Sequence, residues 1–377
     1  MRVLIVTSIF PPEVGGPATY VPMLAAGLHE RGHMVKILTL SEPRQMQHQD
    51  KYTFEVVRVS RAGPRSWRAL RLLKEAARLA GNADVVYGNS TSMLEPALVA
   101  RARRKPYVLK VVGDAAWEVA TRRRWTDLPF QEFQRQRLSP RLEALKRLRT
   151  WHAKRARFVI TPSRFLADVV GEWGVDAERI EVVSNAVAPV NGIVPATLPI
   201  DAGLKLVSVG RLVSWKHVDG VIGALSSVVG EPGLVVVGDG PERPRLEALV
   251  RELGLGDRVY FAGSRGRDET MALMMACDVF VLNSSYEGLP HTVAEAMTLG
   301  LAIVTTGAGG TTEAVQDGQT ALVTSSERAD LAETLRRLLA DQDLRASLGE
   351  RAKEVAREKF GPEPMIAATE DILAACV

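Results

Sequence analysis

Twice along this chain, short β-rich apolar runs alternate with helical patterns, and that alternation leaves little choice of architecture. The run VLIVTSI (3–9) is apolar through most of its length, as a strand buried on both faces should be. A helical stretch follows, with Leu24 and Leu28 four apart and Gly32 placed to cap its end. VKILTL (35–40), FEVVRV (54–59), DVVYG (84–88), YVLKVV (107–112), RFVIT (157–161) and IEVVS (180–184) continue the series. The plan then repeats with KLVSVG (205–210), LVVVGDG (234–240), VYFAG (259–263), VFVLN (279–283) and AIVTTG (302–307), and a shorter run near TALVT (320–324). Strands separated by helices in this way predict an α/β fold with parallel, doubly wound sheets. With 377 residues, 46% of them hydrophobic, the chain is long enough for two such domains and too apolar for disorder.

The break between the two series is AVAPVNGIVPATLPIDAG (186–203), which is rich in proline and has no helical period. The expected division is a first domain over 1–186, a linker over 187–203 and a second domain over 204–360. The last stretch, 361–377, follows a Gly-Pro break and turns amphipathic, as a helix that crosses back to the first domain would. No apolar run approaches the ~20 residues of a membrane-spanning helix. The first residues read as a strand, not a secretory leader. Cys277 and Cys376 are expected as free thiols in a reducing cytosol, so the expected location is cytoplasmic.

Loops rich in glycine or charge follow several of the strands. In PPEVGGPATY (11–20), Gly15 and Gly16 give room for a tight turn into a helix whose free N–H groups suit an anion; a plain connecting loop is the simpler alternative. The segment is not GxGxxG, so a dinucleotide fingerprint is not supported. In GRLVSWKHVDG (210–220), Arg211 can fork onto phosphate oxygens and Lys216 can add a point charge. Cations at a helix start oppose its dipole unless an anion sits there, which favours a ligand over two solvated side chains. GDGPER (238–243), with Gly240, is as readily a structural turn as a ligand loop. FAGSRGRDE (261–269) offers Gly263, Ser264 and Arg265 to a nucleobase on the same terms. NSSYEGLPHTVAE (283–295) carries the strongest signal: Gly288, Leu289 and Pro290 form a turn between Glu287 and Glu295. Pro290 suits the first turn of a helix, which puts Glu295 about one turn inside it and Glu287 on the loop before it. One carboxylate can then face a sugar and the other a ribose, although acids near a helix start are common without any ligand. TGAGGTTEAV (306–315) adds another glycine-rich turn before Glu313.

In order and spacing, PPEVGGPATY, TPSRF, VVSNAV, GRLVSWKHVDG, VVVGDGPE, FAG, EGLPHTVAE and AGGTTEAV together resemble the retaining glycosyltransferases of family 4. The resemblance covers nearly the whole chain. It implies the GT-B architecture, two Rossmann-like doubly wound domains facing a cleft, with a nucleotide-diphosphate sugar as donor substrate, no cofactor and no metal. Arg211 and Lys216 would neutralise the donor diphosphate, and Glu295 would bond the ribose hydroxyls. Glu287 would contact the transferred sugar beside the N–H groups of Gly288 to Pro290, and Gly15 and Gly16 would approach the phosphates. The reaction implied is sugar transfer with retention to a glycan or lipid-linked acceptor. A nucleotide-sugar epimerase, a sugar-phosphate synthase or a non-catalytic nucleotide-sugar-binding scaffold are the alternatives. The chain departs from the family where many relatives carry a histidine: it reads VVGDAAWE (111–118), and Asp114 is the expected contact to sugar or acceptor. The usual Asn-Gly turn is Asn185-Ala186.

Charge is distributed unevenly. Residues 1–186 hold 31 Lys+Arg against 18 Asp+Glu, and residues 187–377 hold 17 against 26. Residues 118–157 alone hold twelve cations and four acids, interleaved with Trp125, Phe130, Phe133 and Trp151. Leucines at 138, 142, 145 and 148 recur at helical spacing, which predicts a leucine stripe with cations opposite. Residues 64–80 read similarly. An anionic membrane surface is therefore an expected partner, reached peripherally, unless these are ordinary helices with solvated basic faces. Nucleic acid is not expected, because no reader motif accompanies the charge.

Overall fold

The computed structural model describes residues 1–48 and 51–377, and the chain divides into two compact units. The first comprises Met1–Ala188 and Pro362–Val377, the second Pro189–Gly361. The first unit holds β1 (Arg2–Thr7), β2 (Met34–Ser41), β3 (Glu55–Ser60), β4 (Val85–Asn89), β5 (Tyr107–Lys110), β6 (Phe158–Thr161) and β7 (Ile180–Val182). Their order in the sheet is β3-β2-β1-β4-β5-β6-β7. The second holds β8 (Lys205–Val209), β9 (Gly233–Val237), β10 (Val259–Gly263), β11 (Val279–Leu282), β12 (Ala302–Thr306) and β13 (Leu322–Thr324), in the order β10-β9-β8-β11-β12-β13.

Strand pairing in both sheets is parallel, so each strand's exit loop lies on the same edge of its sheet. The direction of winding reverses between β1 and β4 in one unit and between β8 and β11 in the other. Open parallel sheets bind ligands at such reversals, outside the carboxyl ends of the strands. Inner strands are apolar because both of their faces are covered: in β9 and β12 each of the five residues is buried.

The helix Pro362–Ala374 completes the first unit's core. Its Ile366 and Leu373 are buried with Leu24 and Leu28 of the helix Gly16–Glu30, and each such burial stabilises by about 1.5–3 kcal/mol. Gly27 makes the close approach, since a Cβ there would stand 2.3 Å from Ile366. At the rim Arg31 pairs with Glu363 and Glu370, and His33 Nε2 lies 2.6 Å from Glu370. The proline-rich stretch after Ala188 packs on the second unit: Ala196 N–H donates to Ala272 C=O, and Ile200 is buried beside Gly233.

The basic region corrects the leucine-stripe expectation. The helix Pro140–Arg155 buries Leu142, Arg149, His152 and Ala153, while Leu148 is 45% exposed. A charge and an imidazole share the inner face with Leu142 because each finds a polar partner there. Arg149 pairs with Asp114, and His152 Nε2 lies 2.8 Å from the Tyr107 hydroxyl. Burial holds His152 down near pKa 4, so it is neutral in this setting.

Candidate functional site

In the second unit the loops after β8, β11 and β12 meet at the winding reversal. β8 ends at Val209, and the chain continues through exposed Arg211 into a single 3-10 turn, Ser214–Lys216. His217 then adopts a left-handed conformation, φ 43° and ψ 44°, before the helix Val218–Leu225 begins. A non-glycine residue in that region stores strain, a feature that clusters at functional sites. After β11 the chain runs through Asn283 to Pro290 and enters the helix His291–Leu299.

Hydrogen bonds to backbone carbonyls join these loops. Asn283 Nδ2 donates to His217 C=O at 3.2 Å, and Ser285 N–H donates to Trp215 C=O at 2.9 Å. Thr306 Oγ1 donates to Ser284 C=O, and Gly310 N–H donates to Glu287 C=O at 3.0 Å. Gly220 is required for this contact, since a Cβ there would meet Asn283 Nδ2 at 2.5 Å.

Two charges that the sequence separates by seventy-one positions meet here: Lys216 Nζ donates to Glu287 Oε1. Their side chains are 17% and 10% exposed, enough to be reached by a ligand yet largely shielded from water. Glu295 lies on the helix that follows, 8% exposed, and burial pushes its carboxyl up to about 7 against the opposing influence of Arg267. Three buried oxygens in and beside these loops, Asn283 Oδ1, Ser284 Oγ and Thr311 Oγ1, make no hydrogen bond among the described residues. Unsatisfied buried polar atoms are costly and call for a partner.

Two glycine expectations acquire a structural reason. A Cβ at Gly240 would stand 2.2 Å from Leu212 C=O, so Gly240 lets the β9 exit loop lie on the β8 exit loop. Gly263 has φ 73°, a conformation glycine favours, and ends β10. Ser264 is exposed. Arg265 turns back on its own strand, its Nε donating to Ala262 C=O at 2.8 Å. The cation whose charge acts on Glu295 is Arg267, and its place before Asp268 in RGRDE carries no sequence signal of that influence. Gly288, Leu289 and Pro290 are buried at the turn into the helix.

In the first unit Gly15 has φ 152° and precedes the helix that starts at Gly16, whose N-terminus has no side-chain cap. This uncapped start follows β1 at that sheet's reversal. Asp114 is a correction. Expected against a sugar or acceptor, it is fully buried inside the first unit. One oxygen accepts from Ala116 N–H at 2.9 Å, capping the helix Ala115–Arg122. The other accepts from Arg149 and, at 2.9 Å, from Gln134 Nε2. A carboxylate occupied on both oxygens and closed to solvent is a structural anchor. Among the described residues, no helix is long and apolar enough to cross a membrane.

Comparison with known proteins agrees with this anatomy. Residues 15–186 match the Glycosyl transferase 4-like domain, and residues 196–355 match Glycosyl transferases group 1. The chain is 33% identical to 2-deoxystreptamine glucosyltransferase of Streptomyces kanamyceticus over 51% of its length, and the match spans about half, 53%, of that relative. It is 24% identical, over 99% of its length and 98% of the relative's, to a GDP-mannose-dependent alpha-(1-6)-phosphatidylinositol monomannoside mannosyltransferase of Mycobacterium tuberculosis. Among solved structures, Anabaena HepE in complex with UDP and glucose superposes with a TM-score of 0.81 at 22% identity, covering 100% of both chains. With both of its units matched in this order and a GT-B fold, the chain belongs to the group 1 glycosyl transferases of family 4 type.

Proposed function

We propose that the protein is a retaining glycosyltransferase that moves a hexose-type sugar from a nucleotide-diphosphate sugar to a glycan or lipid-linked acceptor. The observation that carries this reading is the Lys216–Glu287 pair formed across the β8 and β11 exit loops, with Glu295 buried on the next helix. Lys216 has three N–H donors. It can hold Glu287 with one and meet a phosphate oxygen with another, while exposed Arg211 supplies a second cation. As the bond from the sugar carbon to the diphosphate oxygen breaks, these fixed charges stabilise the leaving group without reorganisation. Charge met by side chains needs no metal, so turnover should persist in excess EDTA.

Glu287 orients the transferred sugar through its hydroxyls, and Glu295 accepts hydrogen bonds from the ribose diol. The acceptor hydroxyl attacks from the face the diphosphate leaves, and its proton passes to the departing phosphate oxygen. The transition state is oxocarbenium-like. In the first unit the uncapped helix start at Gly15 and Gly16 offers N–H groups to phosphate. The two curated relatives carry a glucosyltransferase and a mannosyltransferase name, so the sugar and base are open to assay.

A thermal-shift panel with UDP, GDP, ADP and their sugar conjugates tests the proposal. At least one diphosphate should raise the melting temperature in a concentration-dependent way. A flat response across the panel removes the donor assignment.

A further inference from the structure

The edge of the first sheet opposite the β1 and β4 exit loops carries a surface hollow of about 350 Å³. It forms where strands begin: Tyr107 opens β5, Arg157 precedes β6 and Arg179 precedes β7. Five cations line it, Arg101, Lys105, Arg155, Arg157 and Arg179, and no carboxylate does.

Two helices, Glu95–Arg103 and Pro140–Arg155, end here with Arg101 and Arg155 in their last turns. Each helix C-terminus carries about half a negative charge, so the two supply roughly one. Arg179 is spent on such groups: its Nη2 donates to Lys154 C=O at 2.8 Å and to Ala156 C=O. Its Nη1 lies 3.3 Å from Asp176, whose side chain is 75% exposed. Arg157 donates to Ala375 C=O at 3.3 Å. Capping of helix ends thus accounts for part of the set and leaves a surplus of positive charge. Among the described residues, Arg101 and Lys105 make no ion pair.

We propose that this hollow binds a phosphate-bearing group. Arginine forks fit phosphate oxygens bidentately, and a lysine adds a point charge. The volume is at the small end of ligand pockets, enough for a phosphomonoester or diphosphate. A soluble phosphate and a lipid headgroup present the same oxygens. The site is separate from the donor loops, which lie in the other unit, and it stands whether or not the donor assignment does.

Calorimetric titration of the intact protein with inorganic pyrophosphate tests it, using two variants. Arg101→Gln/Lys105→Gln removes two cations that hold no ion pair among the described residues, so its melting temperature should match the wild type. Its pyrophosphate binding should weaken about tenfold or more. Lys216→Ala should retain that binding event. Flotation on phosphatidylglycerol vesicles then separates the sources. Uptake lost in the double variant and competed by pyrophosphate assigns a lipid headgroup; uptake unchanged assigns a soluble phosphate. The proposal is overturned if the wild type binds no pyrophosphate, if the double variant binds it as well as wild type does, or if Lys216→Ala alone abolishes binding.

Discussion

Glu295 carries a pH dependence whose sign can be worked out. Burial raises its carboxyl to about 7, so the folded chain holds this proton more tightly than the unfolded chain does. Its contribution to stability is fully present below the ordinary carboxylate range and is lost as pH rises through about 7. A ribose diol bonded to the ionised form reverses the preference, so nucleotide binding should release a proton. Affinity for the nucleoside diphosphate should climb about tenfold from about pH 6 to about pH 8, and Glu295→Gln should flatten that profile. Calorimetry in buffers of different ionisation enthalpy reads both the affinity and the proton. The Lys216–Glu287 pair needs a different design, because Lys216→Ala leaves a buried carboxylate without its cation. Lys216→Ala should lower both the melting temperature and, at least about tenfold, donor affinity. Adding Glu287→Gln should restore the melting temperature but not the affinity; restoration of both would make the pair purely structural. Glu287→Ala should lower turnover more than affinity for the free nucleotide, as expected of a group that acts on the sugar. EGLPHTVAE and GRLVSWKH were legible in the sequence as charged loops after strands. That Lys216 reaches Glu287 was not, since it depends on parallel pairing of β8 with β11, which no local pattern encodes.

At the level of elements, polar partners and close approaches decided what periodicity could not. The strand series was legible because strands covered on both faces must be apolar throughout. Helical faces were less so. Leucines at 138, 142, 145 and 148 outline a stripe, yet the helix Pro140–Arg155 turns Arg149 inward to Asp114 and leaves Leu148 half-exposed. A hydrophobic period is silent about an ion pair thirty-five positions away. Arg149→Met should therefore strand Asp114 and destabilise by about 3–5 kcal/mol, with Asp114→Asn/Arg149→Met recovering part of the loss in denaturant unfolding. The docking of Pro362–Ala374 depends instead on one missing methyl group. Gly27→Ala would drive a Cβ into Ile366, whose Cγ1 would lie at 2.8 Å and Cγ2 at 2.9 Å, and is expected to cost about 1–3 kcal/mol. A midpoint unchanged in urea would mean that this helix is not a cooperative part of the first unit.

For the molecule as a whole, the uneven charge and the exposed apolar side chains of the first unit belong together. The helix Arg65–Ala80 buries Leu72, Ala76 and Leu79 but leaves Trp67 64% and Leu70 58% exposed among Arg65, Arg68 and Arg71. After the helix Ala115–Arg122, Trp125 lies 4.8 Å from the Arg123 guanidinium and 3.3 Å from that of Arg141. Interleaved indoles and guanidinium groups suit the boundary of an anionic bilayer, where the rings sit at headgroup level and the cations meet phosphate. We propose peripheral docking on such a surface, which would bring the enzyme to a lipid-linked acceptor. Near an anionic surface each cation contributes about 1 kcal/mol, so neutralising Arg122, Arg123 and Arg124 together should weaken vesicle partitioning about a hundredfold. Reversing the three to glutamate should abolish it. Trp67→Ser should weaken binding equally at low and high salt, because an inserted ring contributes through burial rather than through screened charge. Equal uptake by phosphatidylcholine and phosphatidylglycerol vesicles would defeat the electrostatic half of the argument. Loss of all binding at high salt in the wild type would defeat the apolar half.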